Sequence, residues 1–228
     1  MSDYVIAPPA IHAIPVAGSA ARFPVRRVWC IGRNYAEHVV EMGGDPDRSE
    51  PFFFQKNREN LDPSGEFPYP ARTSDVHHEV ELAVALHSGG TGIAVADALT
   101  HVFGYASALD MTRRDLQAVA KKAGRPWEVA KAFERSAPIG AITPAAEVGH
   151  PDRGAIRLWG NGSLRQEGDL GQMIWKLPEI ISYLSEHFEI GAGDVILTGT
   201  PSGVGPVAQG DRLRAEIEGL PPLDVTVV

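Results

Sequence analysis

The sequence predicts a strand-rich α+β fold with a few short helices and argues against a doubly wound parallel sheet. Three observations carry this. Residues 78–86 alternate strictly, with Val80, Leu82, Val84 and Leu86 on one face and Glu79, Glu81, Ala83 and Ala85 on the other; a period of two is that of a strand. Residues 156–166 bracket Asn161-Gly162, a strong hairpin signal. Strand-like and helix-like segments rarely alternate, so the chain lacks the repeating pattern of parallel α/β folds. The chain has 228 residues, enough for one domain with a sizeable core. We expect an N-terminal arm over residues 1–27 and a single domain over 28–228.

In chain order, the arm is apolar but broken by Pro8, Pro9, Pro15 and Pro24, which suits extended pieces rather than a helix. Residues 28–32 form an apolar run and predict a buried strand. Asn34 followed by Glu37 predicts a capped short helix that Gly43-Gly44 ends. Residues 45–76, rich in Pro, Asp, Ser and Gly, predict loops around one short strand at Phe52-Phe53-Phe54. A short helix is expected at Asp97–Leu99 and a strand over 103–109. Thr112 is expected to cap a helix with Asp115 in its first turn, Lys121-Lys122 in its last, and Gly124 and Pro126 beyond it. Pro178 opens another helix, whose apolar face is Ile180, Ile181, Tyr183, Leu184 and Phe188 and which Gly191 and Gly193 end. Residues 194–198, 211–218 and 223–228 predict strands.

Composition narrows the function. The hydrophobic share of 43% and charged share of 22% are those of a globular protein. A net charge of −8 disfavours a nucleic-acid partner, because phosphate binding needs a basic face; the pairs Arg26-Arg27 and Lys121-Lys122 are explained as solvated surface. A lone cysteine, Cys30, excludes an intrachain disulfide and favours a reducing compartment. Its apolar neighbours predict a buried, inert thiol. No apolar stretch is long enough to span a bilayer, and residues 1–27 do not have the make-up of a signal peptide. A cytoplasmic protein without a membrane partner is expected.

Glu79 and Glu81, two apart on a strand, share a face with Cα atoms about 6.6–7 Å apart and can converge on one ion. Asp110, between a strand and a helix, is the third candidate ligand. Three carboxylates without a thiolate select a hard cation such as Mg²⁺ or Mn²⁺. Taken alone, the glutamates also suit the solvent face of a half-buried strand, and Asp110 a plain helix-entry aspartate; the continuation of their face as Ala83 and Ala85 favours a polar mouth leading into a packed interior. His38 and Glu41, spaced i, i+3, are placed to act as a water-activating pair or as an exposed surface pair. His77 and His78 flank the acidic pair, His77 read as surface. Gly199 to Gly205 lacks the lysine and following helix of a phosphate loop. Lys131 in an apolar run is either buried and paired or snorkelling. Arg114 and Gln117 lie one turn apart, beside Asp110 or on a polar face. Glu167 and Asp169 make a weaker acidic pair.

Four motifs resemble the fumarylacetoacetate hydrolase family: Ile31-Gly32-Arg33-Asn34-Tyr35-Ala36-Glu37-His38, His77-His78-Glu79-Val80-Glu81-Leu82, Leu109-Asp110-Met111-Thr112-Arg113-Arg114-Asp115, and Leu197-Thr198-Gly199-Thr200-Pro201-Ser202-Gly203-Val204-Gly205. They occur in order over about residues 28–226. The resemblance implies a mixed β-sheet roll, a homodimer, and cleavage of the carbon–carbon bond of a β-diketo acid, a small-molecule keto-acid substrate. It implies metal ligation by Glu79, Glu81 and Asp110, water activation by His38 with Glu41, and oxyanion stabilisation by Lys131 and Gln117. Arg33, Arg114 and Thr200 carry over as substrate contacts. The strings Phe52-Phe53-Phe54-Gln55-Lys56 and Glu167-Gly168-Asp169-Leu170-Gly171-Gln172-Met173-Ile174-Trp175 resemble the fumarylpyruvate and acylpyruvate branch of aromatic-compound (gentisate-type) degradation; Asn57 stands where a proline often follows the lysine. The same site chemistry would also serve an oxaloacetate decarboxylase or keto-acid isomerase. A non-catalytic module with a structural cation is the remaining alternative.

Overall fold

The computed structural model describes residues 4–41, 43 and 49–228. Two sheets dominate. The larger has six strands in the order Thr143–Pro144, Val102–Leu109, Val80–Leu86, Asp194–Leu197, Arg27–Gly32 and Phe52–Lys56. All its pairings are antiparallel except that of Asp194–Leu197 with Arg27–Gly32. The second has five strands in the order Ser163–Asp169, Ala155–Gly160, Arg212–Ile217, Leu223–Val227 and Glu66–Phe67, with only the last pairing parallel. This is the mixed, strand-rich architecture the sequence predicts. Asn161 and Gly162, at φ 52° and 78°, turn the Ala155–Asp169 hairpin with both central residues left-handed, the conformation that matches strand twist.

Strand Val80–Leu86 is buried at every position, so the solvent-face reading of the glutamates is wrong. Its larger side chains, Val80, Leu82, Val84 and Leu86, join a core shared with Ile156, Leu158 and Leu213 of the second sheet and with Ile180, Ile181 and Leu184 of helix Leu177–His187. Its small side chains, Ala83 and Ala85, face a second core with Ala106, Ala108, Ile139 and Ile142. Ile14, Phe23 and Val25 of the arm belong to that core. The arm is thus a packed layer, built on the antiparallel pair Ala13–Pro15 and Arg22–Pro24. Alanines let that layer approach the sheet closely, and burial of such apolar surface is worth about 25 cal/mol per Å².

Several expectations shift locally. The alternating run is two strands, Val76–His78 and Val80–Leu86, with Glu79 at the break between them. Val76–His78 pairs instead with Thr112–Arg113 and Gly205–Pro206. Thr112 is therefore a strand residue, and the helix runs Arg114–Lys122 with no side-chain cap. Asn34 does not cap helix Ala36–Glu41: its amide donates to the carbonyls of Trp175 and Thr198, and its carbonyl accepts from Trp175 N–H. Glu37 does not close a capping box and accepts from Ser202 Oγ at 3.1 Å. Asp97–Leu99 becomes a 3₁₀ turn over Ala98–His101. Gly44, and residues 45–48 of the expected loop, lie outside the described residues, as do residues 1–3 of the arm. Two helices of only four residues, Glu128–Lys131 and Ala145–Val148, were not anticipated; that is too short for a 3.6-residue period to show. Cys30 is buried, and burial pushes its thiol well above its ordinary pKa, as expected of an inert cysteine. Among the described residues no helix is long and apolar enough to cross a membrane.

Candidate metal and catalytic site

Glu79, Glu81 and Asp110 meet at one end of the larger sheet. Asp110 N–H donates to Glu79 carbonyl at 2.8 Å, closing the junction beyond the Val80–Leu109 pairing. Each of the three side chains offers a carboxylate oxygen, and these lie within 4.8 Å of one another. All three are buried. They line a cleft that also includes Arg33, His38, Arg114, Gln117, Lys131 and Thr200. Every site residue that the family resemblance implies, except Glu41, therefore lines this one cleft, and Glu41 is joined to it through His38. Phe54 and Trp127 supply aromatic walls.

The three carboxylates are electrostatically unequal. Burial alone would raise Glu79, but Lys131 and Arg114 outweigh it and hold its carboxyl below the usual range. Lys131 Nζ donates to Glu79 Oε2 at 2.8 Å, Asp110 Oδ2 at 2.7 Å and Thr112 Oγ1 at 2.6 Å. An ammonium has three donors, so all are engaged. Burial would lower Lys131, yet Asp110 and Glu79 push it above its ordinary value. Arg114 pairs with the other Glu79 oxygen. Glu81 is different. Burial, Asp110 and Glu79 drive its carboxyl well above the ordinary range, and its one hydrogen bond among the described residues comes from Gly199 N–H at 2.8 Å.

Lys56, whose role the sequence left open, enters here. Its buried Nζ lies 2.8 Å from Asp110 Oδ1, but off the direction of a hydrogen bond, so that oxygen is charge-paired and keeps a lone pair free. Lys56 directs its hydrogens to Ser136 Oγ at 2.9 Å and to neighbouring backbone carbonyls. A buried carboxylate oxygen without a directed donor, a second carboxylate with a single donor, and an all-oxygen donor set together fit a hard divalent cation.

His38 Nδ1 lies 3.2 Å from Glu41 Oε2. Glu41 is fixed in turn by Gly203 N–H, at 3.1 and 3.2 Å from its two oxygens. The glycine-rich segment is thus a clamp for the histidine–glutamate pair. Gly203 sits at φ +92°, where an added Cβ would meet Arg165 carbonyl at 2.2 Å; no other residue fits there. Gln117 is buried and accepts from Arg114 Nη1 at 2.6 Å, which turns its amide nitrogen away from Arg114. Arg33 holds a left-handed backbone, φ 60°, at the cleft wall. His77 pairs with Asp75 at 2.8 Å, half-buried rather than on the surface, and His78 is buried. Glu167 and Asp169 form no second site: Glu167 pairs with Arg157 at 2.7 Å, and Asp169 caps the turn at Leu170–Gln172. Sequence reasoning missed Gln166, which is buried beside Thr200; a glutamine within an exposed hairpin strand carries no pattern that marks it.

The model of the fumarylacetoacetate (FAA) hydrolase C-terminal family matches residues 27–228. A mitochondrial oxaloacetate tautomerase of Mus musculus is 45% identical over 211 residues, covering 88% of this chain and 94% of the relative. The oxaloacetate tautomerase YcgM of Escherichia coli (strain K12) is 41% identical over 203 residues, covering 89% and 93%. The crystal structure of fumarylpyruvate hydrolase from Pseudomonas aeruginosa, in complex with Mn²⁺ and pyruvate, superposes with a TM-score of 0.97 at 49% identity, covering 99% of each chain. This chain belongs to the fumarylacetoacetate hydrolase family.

Proposed function

We propose that the protein is a divalent-metal-dependent hydrolase that cleaves the carbon–carbon bond of an acylpyruvate, foremost fumarylpyruvate, to fumarate and pyruvate. The observation that carries this reading is that the buried carboxylate cluster shares one cleft with an imidazole whose Nδ1 is tied to a carboxylate. Glu79, Glu81 and Asp110 would hold Mg²⁺ or Mn²⁺. When bound, the cation supplies Lewis-acid polarisation to the oxygens of the 2-keto acid.

The chain's own residues do the rest. Glu41 accepts the Nδ1 hydrogen of His38, which leaves Nε2 as the base that takes a proton from water. The water oxygen adds to the distal acyl carbonyl. Gln117, with its Oε1 already spent on Arg114, donates its amide hydrogen to the developing oxyanion, the kind of contact worth about 10²–10³ in rate. Lys131 joins it once one of its three bonds is released. The carbon–carbon bond then breaks with its electron pair moving to the pyruvyl carbon, and the imidazolium returns its proton there. Arg33, Arg114 and Thr200 hold the substrate's oxygens. The aromatic walls exclude water around the unsaturated acyl chain.

A second reading, keto–enol tautomerisation or decarboxylation of oxaloacetate, is favoured by the names of the 45% and 41% identical relatives. Oxaloacetate has the same 2-keto acid head, and its chemistry needs the enolate but no attacking water. Product analysis separates the two: fumarate and pyruvate from fumarylpyruvate, against carbon dioxide release or enol–keto interconversion from oxaloacetate. Replacing His38 by Ala should abolish hydrolysis while leaving metal binding intact. Near-normal turnover of fumarylpyruvate by the metal-loaded variant would exclude the hydrolytic role.

A further inference from the structure

The hairpin strand Ser163–Asp169 carries a β-bulge: Leu158 faces Gln166 and Trp159 faces Leu164, which leaves Arg165 as the extra residue. Bulges re-aim side chains, and this one turns Gln166 inward. Along Ser163–Glu167 it is the one buried residue.

The hydrogen-bond directions around Gln166 follow from two backbone groups. Val80 N–H donates to Oε1 at 3.1 Å, and an N–H has no other role. Pro201 carbonyl accepts from Nε2 at 2.9 Å, and a carbonyl has no other role. The amide orientation is therefore unambiguous. Two consequences follow. His78 Nδ1, 2.9 Å from Oε1, must carry its hydrogen. Thr200 Oγ1, 2.8 Å from Nε2, must accept. Having accepted from Gln166, the Thr200 hydroxyl keeps its own hydrogen to donate elsewhere. Thr200 is buried and lines the cleft, and no other hydrogen bond to this hydroxyl is made by the described residues.

We propose that Gln166 is a positioning residue that sets Thr200 as an obligate hydrogen-bond donor to the carboxylate of a bound 2-keto acid. This rests on the reading of the cleft as a keto-acid site, and it deepens that reading by assigning the polarity of one subsite. The site then discriminates: a carboxylate or carbonyl oxygen is accepted at Thr200, and a ligand presenting a hydrogen-bond donor there is rejected.

The test uses the Mn²⁺-loaded protein and pyruvate as the probe, by titration calorimetry. Gln166→Glu keeps the acceptors for Val80 and His78 but replaces the donor to Thr200 with an acceptor, so the hydroxyl turns away from the cleft. A hydrogen bond to a charged group is worth about 1.5–3 kcal/mol, so Gln166→Glu and Thr200→Val should each weaken pyruvate binding roughly 10- to 100-fold. Mn²⁺ affinity without pyruvate should hold, and Thr200→Ser should restore pyruvate affinity. The double variant Gln166→Glu/Thr200→Val should bind no worse than Thr200→Val alone. With an acylpyruvate, the loss should fall on KM more than on kcat. Nitrogen-15 spectra of the unaltered protein, with neither ligand nor turnover required, should show the His78 hydrogen on Nδ1. Multiplying effects in the double variant, undiminished pyruvate affinity in Thr200→Val, or a His78 hydrogen on Nε2 would each overturn the proposal. If pyruvate binding follows the expected pattern while fumarylpyruvate is not cleaved, the hydrolase reading fails and the role of Gln166 stands.

Discussion

Glu81→Gln should make the metal-free protein more stable while abolishing its response to a divalent cation. The three carboxylates offer oxygens within 4.8 Å of one another. At an effective dielectric constant of about 20, two unit charges at that distance repel by about 3.5 kcal/mol. Lys131 and Lys56 offset the charges of Glu79 and Asp110. Among the described residues, neither these nor any other cation forms an ion pair with Glu81, which is left with Gly199 N–H. A glutamine keeps that bond, removes the repulsion and offers its amide hydrogens to Glu79 and Asp110. Protonation of Glu81 already relieves part of the cost in the native chain, so the net gain should be about 1–3 kcal/mol, below the full pairwise repulsion. For a chain of this size each kcal/mol moves Tm by about 2–4 °C, giving roughly 2–12 °C. The assay is thermal unfolding in EDTA and in Mn²⁺. In EDTA the variant should melt above the native protein. In Mn²⁺ at about 100 times Kd, the native protein should gain about 2.7 kcal/mol and the variant little. A variant that melts below the native protein in EDTA would refute the like-charge account of Glu81.

Lys56→Met should destabilise the protein by about 3–5 kcal/mol, because it leaves Asp110 Oδ1 with no charge partner on that side and Ser136 without its donor; a shift of the denaturation midpoint worth under about 1 kcal/mol would contradict this. Arg33→Gly should stabilise by about 1 kcal/mol by releasing a left-handed backbone, and should weaken keto-acid binding, read by unfolding and by pyruvate titration. Burial holds His78 below its ordinary pKa of 6.5. Its contribution is complete above pH 6.5 and is lost as pH falls toward the lowered native value, because the unfolded chain takes up the proton first. His78→Gln should flatten that part of the stability–pH curve.

Local sequence determined the elements and the acidic motif. Alternation over 78–86 puts Glu79 and Glu81 on one side of the chain, and Asn161-Gly162 specifies a hairpin, because a period of two and a left-handed turn are consequences of neighbouring residues alone. The helix boundary near Asp110 was misplaced for the same reason: Thr112 is a good cap locally, but its pairing with His77, 35 positions away, made it a strand residue. Only the tertiary structure decided that both faces of Val80–Leu86 are buried, since that depends on the arm and the second sheet each supplying a core. It alone brought Lys56, Lys131 and Gln166 to the carboxylates and to Thr200, across sequence separations from 21 to 54 residues. A buried lysine or glutamine looks like a surface residue in the sequence. Its partners are what make burial tolerable, and the fold is what delivers them.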